Sequence, residues 1–116
     1  MNYRHAYHAG NFADVLKHVV LLALIERLAL KPGALFFLDT HAGRGRYPLS
    51  APEAERGGEW RAGIGRIAGS RDAPAPVAQY LELIARLGTE AGRLASYPGS
   101  PLLALAALRE IGRAHV

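Results

Sequence analysis

Asn11 and Asp14 stand at the head of a segment in which apolar residues recur at Val15, Leu16, Val19, Val20, Ala23, Leu24 and Leu28. A helical period behind an N-cap residue predicts an α-helix over about residues 12–30. Lys31-Pro32-Gly33 stops it, and Ala34–Leu38 is then a continuous apolar run ending at Asp39. Such a run predicts a central parallel strand covered on both faces. From Ser50 to Ala68 the chain is rich in Glu and Arg and predicts a second helix, weakened by Gly57, Gly58, Gly63 and Gly65, since glycine is among the poorest helix formers. Asp72–Pro76 breaks the chain. Val77–Leu87 predicts a third helix with Tyr80, Leu81, Ile84 and Leu87 on one side, closed by Gly88. Tyr97–Pro101 reads as a turn in which Ser100 caps a last helix beginning at Pro101 and running through Leu102 to Leu108.

This pattern holds one convincing strand, with Leu94–Tyr97 as the only candidate neighbour. A buried strand needs partners for its backbone groups, and a sheet that stands alone usually has three or more strands. We therefore expect an incomplete α/β unit that is mostly helical. The residues from Glu110 to Val116 match the translation of a common sequencing-library adapter, so residues 110–116 are expected to be a non-native tail. There is no internal repeat and no low-complexity tract.

Composition narrows the function. The 116 residues are half hydrophobic, enough for one modest core. A formal net charge of +4 leans towards a polyanionic partner, although lysine occurs only at positions 17 and 31 and coding bias towards arginine explains the excess equally well. With no cysteine, disulfides, thiolate metal sites and thiol nucleophiles are excluded. The polar, aromatic N-terminus is unlike a secretory signal, and the apolar stretch Val19–Ile25 is too short to span a bilayer. A cytoplasmic protein is expected.

The chemistry centres on Asp39-Thr-His-Ala-Gly-Arg-Gly-Arg-Tyr47. In open α/β sheets ligands bind beyond the carboxyl ends of parallel strands, and Gly43 and Gly45 let a backbone approach a ligand closely. A dinucleotide fingerprint would place a small residue where Pro48 stands, and no Walker loop occurs. The acid-x-x-x-Gly-x-Gly spacing suits S-adenosylmethionine, which has no pyrophosphate to cradle; a purely structural glycine turn is the competing reading. His5 and His8 have ligand-like spacing but lack the accompanying motifs of a zinc site, so no metal is expected. His18, beside Lys17 and one turn from Asp14, makes a polar patch on an otherwise apolar helix, for which a solvated face is the competing reading. The N-terminal Tyr3–His8 interleaves aromatic and basic residues as an RNA-contacting arm does, or as an ordinary tail does. Ser100 opens a helix N-terminus suited to a carboxylate or phosphate, or simply caps it.

Taken together, Tyr3-Arg-His, His8-Ala-Gly-Asn11, Ala13–His18, Leu38–Gly43, Gly45-Arg-Tyr47 and Tyr97-Pro-Gly-Ser-Pro101 resemble, in order and spacing, the bacterial RlmJ family of large-subunit ribosomal RNA adenine-N6 methyltransferases. The resemblance spans residues 3 to about 109. It implies a Rossmann-like, S-adenosylmethionine-dependent methyltransferase domain with a helical subdomain inserted after the first strand and its glycine loop. On that reading residues 1–47 begin the methyltransferase domain, 48–96 form the insertion and 97–109 return to the domain. It further implies that His18, His41 and Ser100 contact S-adenosylmethionine, with Lys17, Gly43 and Gly45 beside them, and that Tyr3, with Arg4, contacts the 23S ribosomal RNA substrate. Where many relatives carry a small residue between the two glycines, this chain has Arg44. The family's catalytic Asp-Pro-Pro-Tyr motif is absent from this sequence, so no catalytic residue is assigned and the chain alone is expected to be inactive. A monomer is expected for the full-length enzyme. The rival is a non-catalytic basic RNA-binding module; a metal-dependent hydrolase using the histidines ranks last.

Overall fold

A computed structural model describes residues 4–112. A 3-10 turn at His5–Tyr7 leads into helix α1 (Phe12–Ala29), whose N-cap Asn11 accepts a hydrogen bond from the Asp14 backbone N–H at 2.9 Å. Strand β1 (Arg46–Pro48) follows, then three short helices, α2 (Pro52–Gly57), α3 (Glu59–Ala62) and α4 (Ile64–Ile67). Helix α5 (Ala75–Gly88), strands β2 (Thr89–Glu90), β3 (Arg93–Leu94) and β4 (Ser96–Pro98), and helix α6 (Ser100–Glu110) complete the order.

Helix α1 packs against α5 and α6. The core between them holds Leu22, Ile25, Ile64, Tyr80, Ile84, Tyr97 and Leu103. α5 has the expected amphipathic form, with Tyr80, Leu81 and Ile84 buried. α1 departs from it. Asp14 and His18 are 2% and 4% exposed, whereas Phe12 and Leu16 are 77% and 65% exposed and Val20, Leu24 and Leu28 also face outward. The polar patch of Asp14 and His18 therefore lies on the buried side of the helix, against the competing reading of a solvated face.

The expected strand at Ala34–Leu38 does not form. These residues join no ladder among the described residues. Leu35 and Phe37 pack on the core, while Phe36 is 86% and Leu38 71% exposed. Side chains therefore alternate as on a strand, but no described segment runs alongside to pair with the backbone, and only one side is covered. The ladders that do form are short and antiparallel. β1 pairs with β4 in the register Tyr47 opposite Tyr97, and β2 pairs with β3 through a turn at Ala91 and Gly92. β4 overlaps the candidate strand Leu94–Tyr97, and Tyr97 and Pro98, also read as the start of a turn, thus belong to a strand.

The second expected helix is broken into α2, α3 and α4. Gly58 takes φ +64° and its N–H closes α2 on the Ala54 carbonyl at 2.8 Å. Gly63 abuts the chain before α1: a Cβ there would lie 2.1 Å from the Gly10 carbonyl oxygen. That oxygen accepts from the Ile64 N–H at 2.8 Å. Glycine here admits a close backbone crossing, which a continuous helix would forbid. No described helix is long and apolar enough to cross a membrane.

Candidate functional site

The β1–β4 ladder carries the glycine loop onto the start of α6. The Gly99 N–H donates to the Gly45 carbonyl at 2.9 Å, and a Cβ on Gly99 would lie 2.5 Å from the Arg44 carbonyl oxygen. Between this junction, the N-terminal turn and the first half of α1 lies a cavity of about 580 Å³. Lys17, His18, His41, Gly43 and Ser100 line it, as does Arg4. Gly45 is not on its wall; its carbonyl holds the loop to α6 instead. Tyr3 lies outside the described residues.

The inner wall is built around Asp14. Its Oδ2 accepts from His5 Nε2 at 2.6 Å and from the Gly10 N–H at 3.0 Å, and Lys17 Nζ lies 3.8 Å from Oδ1. Burial pushes the carboxyl pKa up, but the hydrogen bonds from His5 and Gly10, with the nearby histidine charges, outweigh it and hold Asp14 below the usual range. His18, one turn along, is also shifted down, but there burial is the cause. Burial, assisted by Lys17, pulls its pKa down to about 4 against the attraction of Asp14, so the imidazole is neutral at pH 7. Its Nδ1 lies 2.5 Å from the Tyr97 hydroxyl, which is 3.0 Å from the Tyr80 hydroxyl. Burial raises the pKa of both phenols, and they stay protonated.

The outer wall is the loop. Asp39 Oδ1 accepts from the His41 N–H at 3.1 Å, and the Ser100 hydroxyl donates to Asp39 Oδ2. Ser100 is therefore not the cap of α6. The N-cap is Gly99, whose carbonyl accepts from Leu103 N–H at 3.1 Å, and the hydroxyl is drawn across to the loop. Thr40 Oγ1 lies 2.9 Å from His41 Nδ1. Gly43 has φ +61°, and a Cβ on it would lie 2.4 Å from the Tyr47 hydroxyl. That hydroxyl accepts from the Arg44 N–H at 2.9 Å, so the phenol fixes the loop's curvature only if position 43 is glycine.

His5 and His8 do not converge. His5 binds Asp14, while His8 Nδ1 lies 2.6 Å from Glu59 Oε2, whose other oxygen accepts from Asn11 Nδ2 at 3.2 Å. Among the described residues no group of three or more metal-ligating side chains is gathered. The same contacts tie residues 5–11 to the body, in place of a free tail, and leave Arg4 exposed at the cavity.

Several site residues lay outside the sequence assignment. Asp14 was visible as a first-turn acid in the polar patch with His18, Tyr97 as a turn or strand-candidate tyrosine, and Asp39 as the acid of the glycine-loop spacing, but none of them as a group that orients another site residue. The spacing of Asp14 and His18, which puts them on one helix face, was the available signal. For the pairing of Tyr80 with Tyr97 no local signal existed.

Residues 32–116 match the family of ribosomal RNA large subunit methyltransferase D, RlmJ. The chain belongs to this family. Over 98% of its length it is 47% identical to ribosomal RNA large subunit methyltransferase J of Haemophilus influenzae, and over 95% it is 48% identical to that of Escherichia coli. It spans 41% and 39% of those proteins. The crystal structure of protein LPL1258 from Legionella pneumophila superposes with a TM-score of 0.78 at 39% identity, covering 88% of this chain and 37% of that one.

Proposed function

We propose that this chain is the first part of a cytoplasmic methyltransferase that moves a methyl group from S-adenosylmethionine to N6 of an adenine in 23S ribosomal RNA, and that the cavity is part of its cofactor pocket. The observation that carries this is convergence. His18 from α1, His41 from the loop and Ser100 from α6 are far apart in sequence, are the positions the family resemblance assigns to the cofactor, and line one cavity.

The residues present fit such a ligand. A volume of about 580 Å³ falls within the roughly 300–1,000 Å³ of small-molecule sites. The wall carries cations at Arg4, Lys17 and Arg44 and carboxylates at Asp14 and Glu53, which suits a ligand whose amino-acid end is itself a zwitterion. When bound, S-adenosylmethionine supplies an electrophilic methyl group on its sulfonium. His18, His41 and Lys17 hold and orient it, and the Asp39–Ser100 contact keeps the loop closed on α6. The exposed outward stripe of α1 and the open side of Phe36 and Leu38 support a Rossmann-like sheet built on residues 34–38, on which reading 48–96 are the inserted helical subdomain and 97–109 the return. Arg4 at the cavity, with Tyr3 before it, forms the RNA-facing arm, and the complete enzyme is a monomer.

Irradiating the chain with methyl-labelled S-adenosylmethionine and mapping the labelled peptides tests the pocket. Label is expected within residues 4–30, 39–47 or 97–103; label confined elsewhere removes the assignment. Because the sequence holds no Asp-Pro-Pro-Tyr, the 116-residue chain is expected to transfer no methyl group to naked ribosomal RNA, and measurable turnover contradicts this. The net charge of +4 favours a second reading, a basic RNA-binding module. RNA binding without any cofactor labelling would select it.

A further inference from the structure

The hydroxyls of Tyr80 and Tyr97 and the ring of His18 form a buried chain, with oxygens 3.0 Å apart and the Tyr97 oxygen 2.5 Å from His18 Nδ1. Its protons can be counted. Both tyrosines are fully enclosed, and Tyr97 is the hydrogen-bond partner of the Tyr80 hydroxyl among the described residues. A buried hydroxyl proton left without an acceptor loses its hydration with nothing in return. If Tyr97 donated to Tyr80, the Tyr80 proton would be stranded in this way. Tyr80 therefore donates to Tyr97, and the Tyr97 proton goes to His18 Nδ1.

A neutral imidazole that accepts at one nitrogen carries its proton on the other. Nε2 of His18 makes no hydrogen bond among the described residues. The one enclosed side-chain nitrogen or oxygen lacking a partner there is Trp60 Nε1, so Nε2 is not sealed in the core. With His18 on the cavity wall, Nε2 is the nitrogen left to meet a ligand.

We propose that Tyr97, held by Tyr80, is a positioning residue that fixes the His18 proton on Nε2, so that the cavity presents a donor there and selects a carboxylate on its ligand. An ionised carboxylate only accepts, and Lys17 precedes His18 on the same wall. The identity of the ligand rests on the methyltransferase reading, which makes this group the carboxylate of the amino-acid end of S-adenosylmethionine. The proton's location does not rest on it.

Long-range proton–nitrogen correlation spectra of the chain labelled with 15N-histidine read both parts. At pH 7 His18 is expected to show a bare Nδ1 and a protonated Nε2. A proton on Nδ1, or on both nitrogens, overturns the proposal. Tyr97→Phe is expected to mix the two tautomers, whereas Tyr80→Phe, an equal loss in the same core that spares the Tyr97–His18 bond, leaves the proton on Nε2. Unchanged His18 resonances in a folded Tyr97→Phe protein remove Tyr97 from the role. S-adenosylhomocysteine is expected to shift the Nε2 proton, and methylthioadenosine, which lacks the amino-acid end, to leave it unmoved. Equal shifts, or S-adenosylhomocysteine binding without a shift, overturn the carboxylate. If neither compound binds and the proton sits on Nε2, the methyl-donor reading falls with its carboxylate and the tyrosine positioning stands.

Discussion

The two long sides of α1 exchange the roles that an amphipathic helix usually assigns. Its inner side buries Asp14 and His18 beside Leu22 and Ile25, and its outer side exposes Phe12, Leu16, Val20, Leu24 and Leu28 at every fourth position. The great majority of polar groups inside a fold are hydrogen-bonded. Asp14 is held by His5 and Gly10, and His18 by Tyr97, all beside the cavity. Apolar groups in water are tolerated singly, but a stripe of them marks a surface that is covered when the protein works. On the proposed function the inner side belongs to the site and the outer side to a contact, and substitutions should separate them.

Asp14→Ala has the largest expected effect. It leaves the His5 ring and the Gly10 N–H beside a void, and should cost about 3 kcal/mol in urea unfolding. A loss under about 0.5 kcal/mol, typical of surface positions, would show that the inner network is not structural. Acid should act next. His18 titrates near 4 in the fold against 6.5 ordinarily, so between these values the unfolded chain binds more protons. Stability is then full above pH 6.5 and falls as pH drops towards 4, by something on the order of 3 kcal/mol. Asp14, also depressed, adds a further loss below its ordinary value of 3.8. His18→Gln should flatten the upper part of this profile; an unchanged slope would place the titrating group elsewhere.

Gly43→Ala comes third. A side chain at φ +61° that meets the Tyr47 hydroxyl should cost roughly 1–3 kcal/mol and loosen the loop, seen as faster proteolysis near residue 43. Leu24→Ser on the outer face should change the chain's unfolding by less than about 0.5 kcal/mol while reducing self-association in sedimentation. A large loss of stability there would mean that the outer face is already covered.

The same contrast sets what could be read from sequence. α1 and α5 were legible because their apolar period is local, and the Asn11 cap is as expected. Which side of α1 faces inward was not, because it depends on Tyr97, 79 positions from His18. Residues 34–38 have a strand's composition, but a strand is defined by a partner, and none lies beside them among the described residues. β1 was hidden, and β4 showed only through the Leu94–Tyr97 candidate, for the converse reason. Each is three residues long, includes a proline, and forms only by pairing across about fifty positions. Pro101 stands in the first turn of α6 as expected, whereas Ser100 looks like its cap until Asp39 claims the hydroxyl. Within the site, His18, His41 and Ser100 came from motif resemblance and Asp14 and Asp39 stood in the patterns beside them, while the contacts that Asp14, Asp39 and Tyr97 make emerged only from the fold.

The central claim, that the inner side of α1 and the glycine loop make a cofactor pocket, is tested most directly by calorimetric titration of S-adenosylhomocysteine into the wild-type chain, His41→Ala and Leu24→Ser. One site on the wild type, affinity weakened about tenfold by His41→Ala as expected for a lost hydrogen bond of about 1.4 kcal/mol, and no change for Leu24→Ser is the predicted result. Absence of binding to the wild type, or equal affinity in His41→Ala, would contradict it.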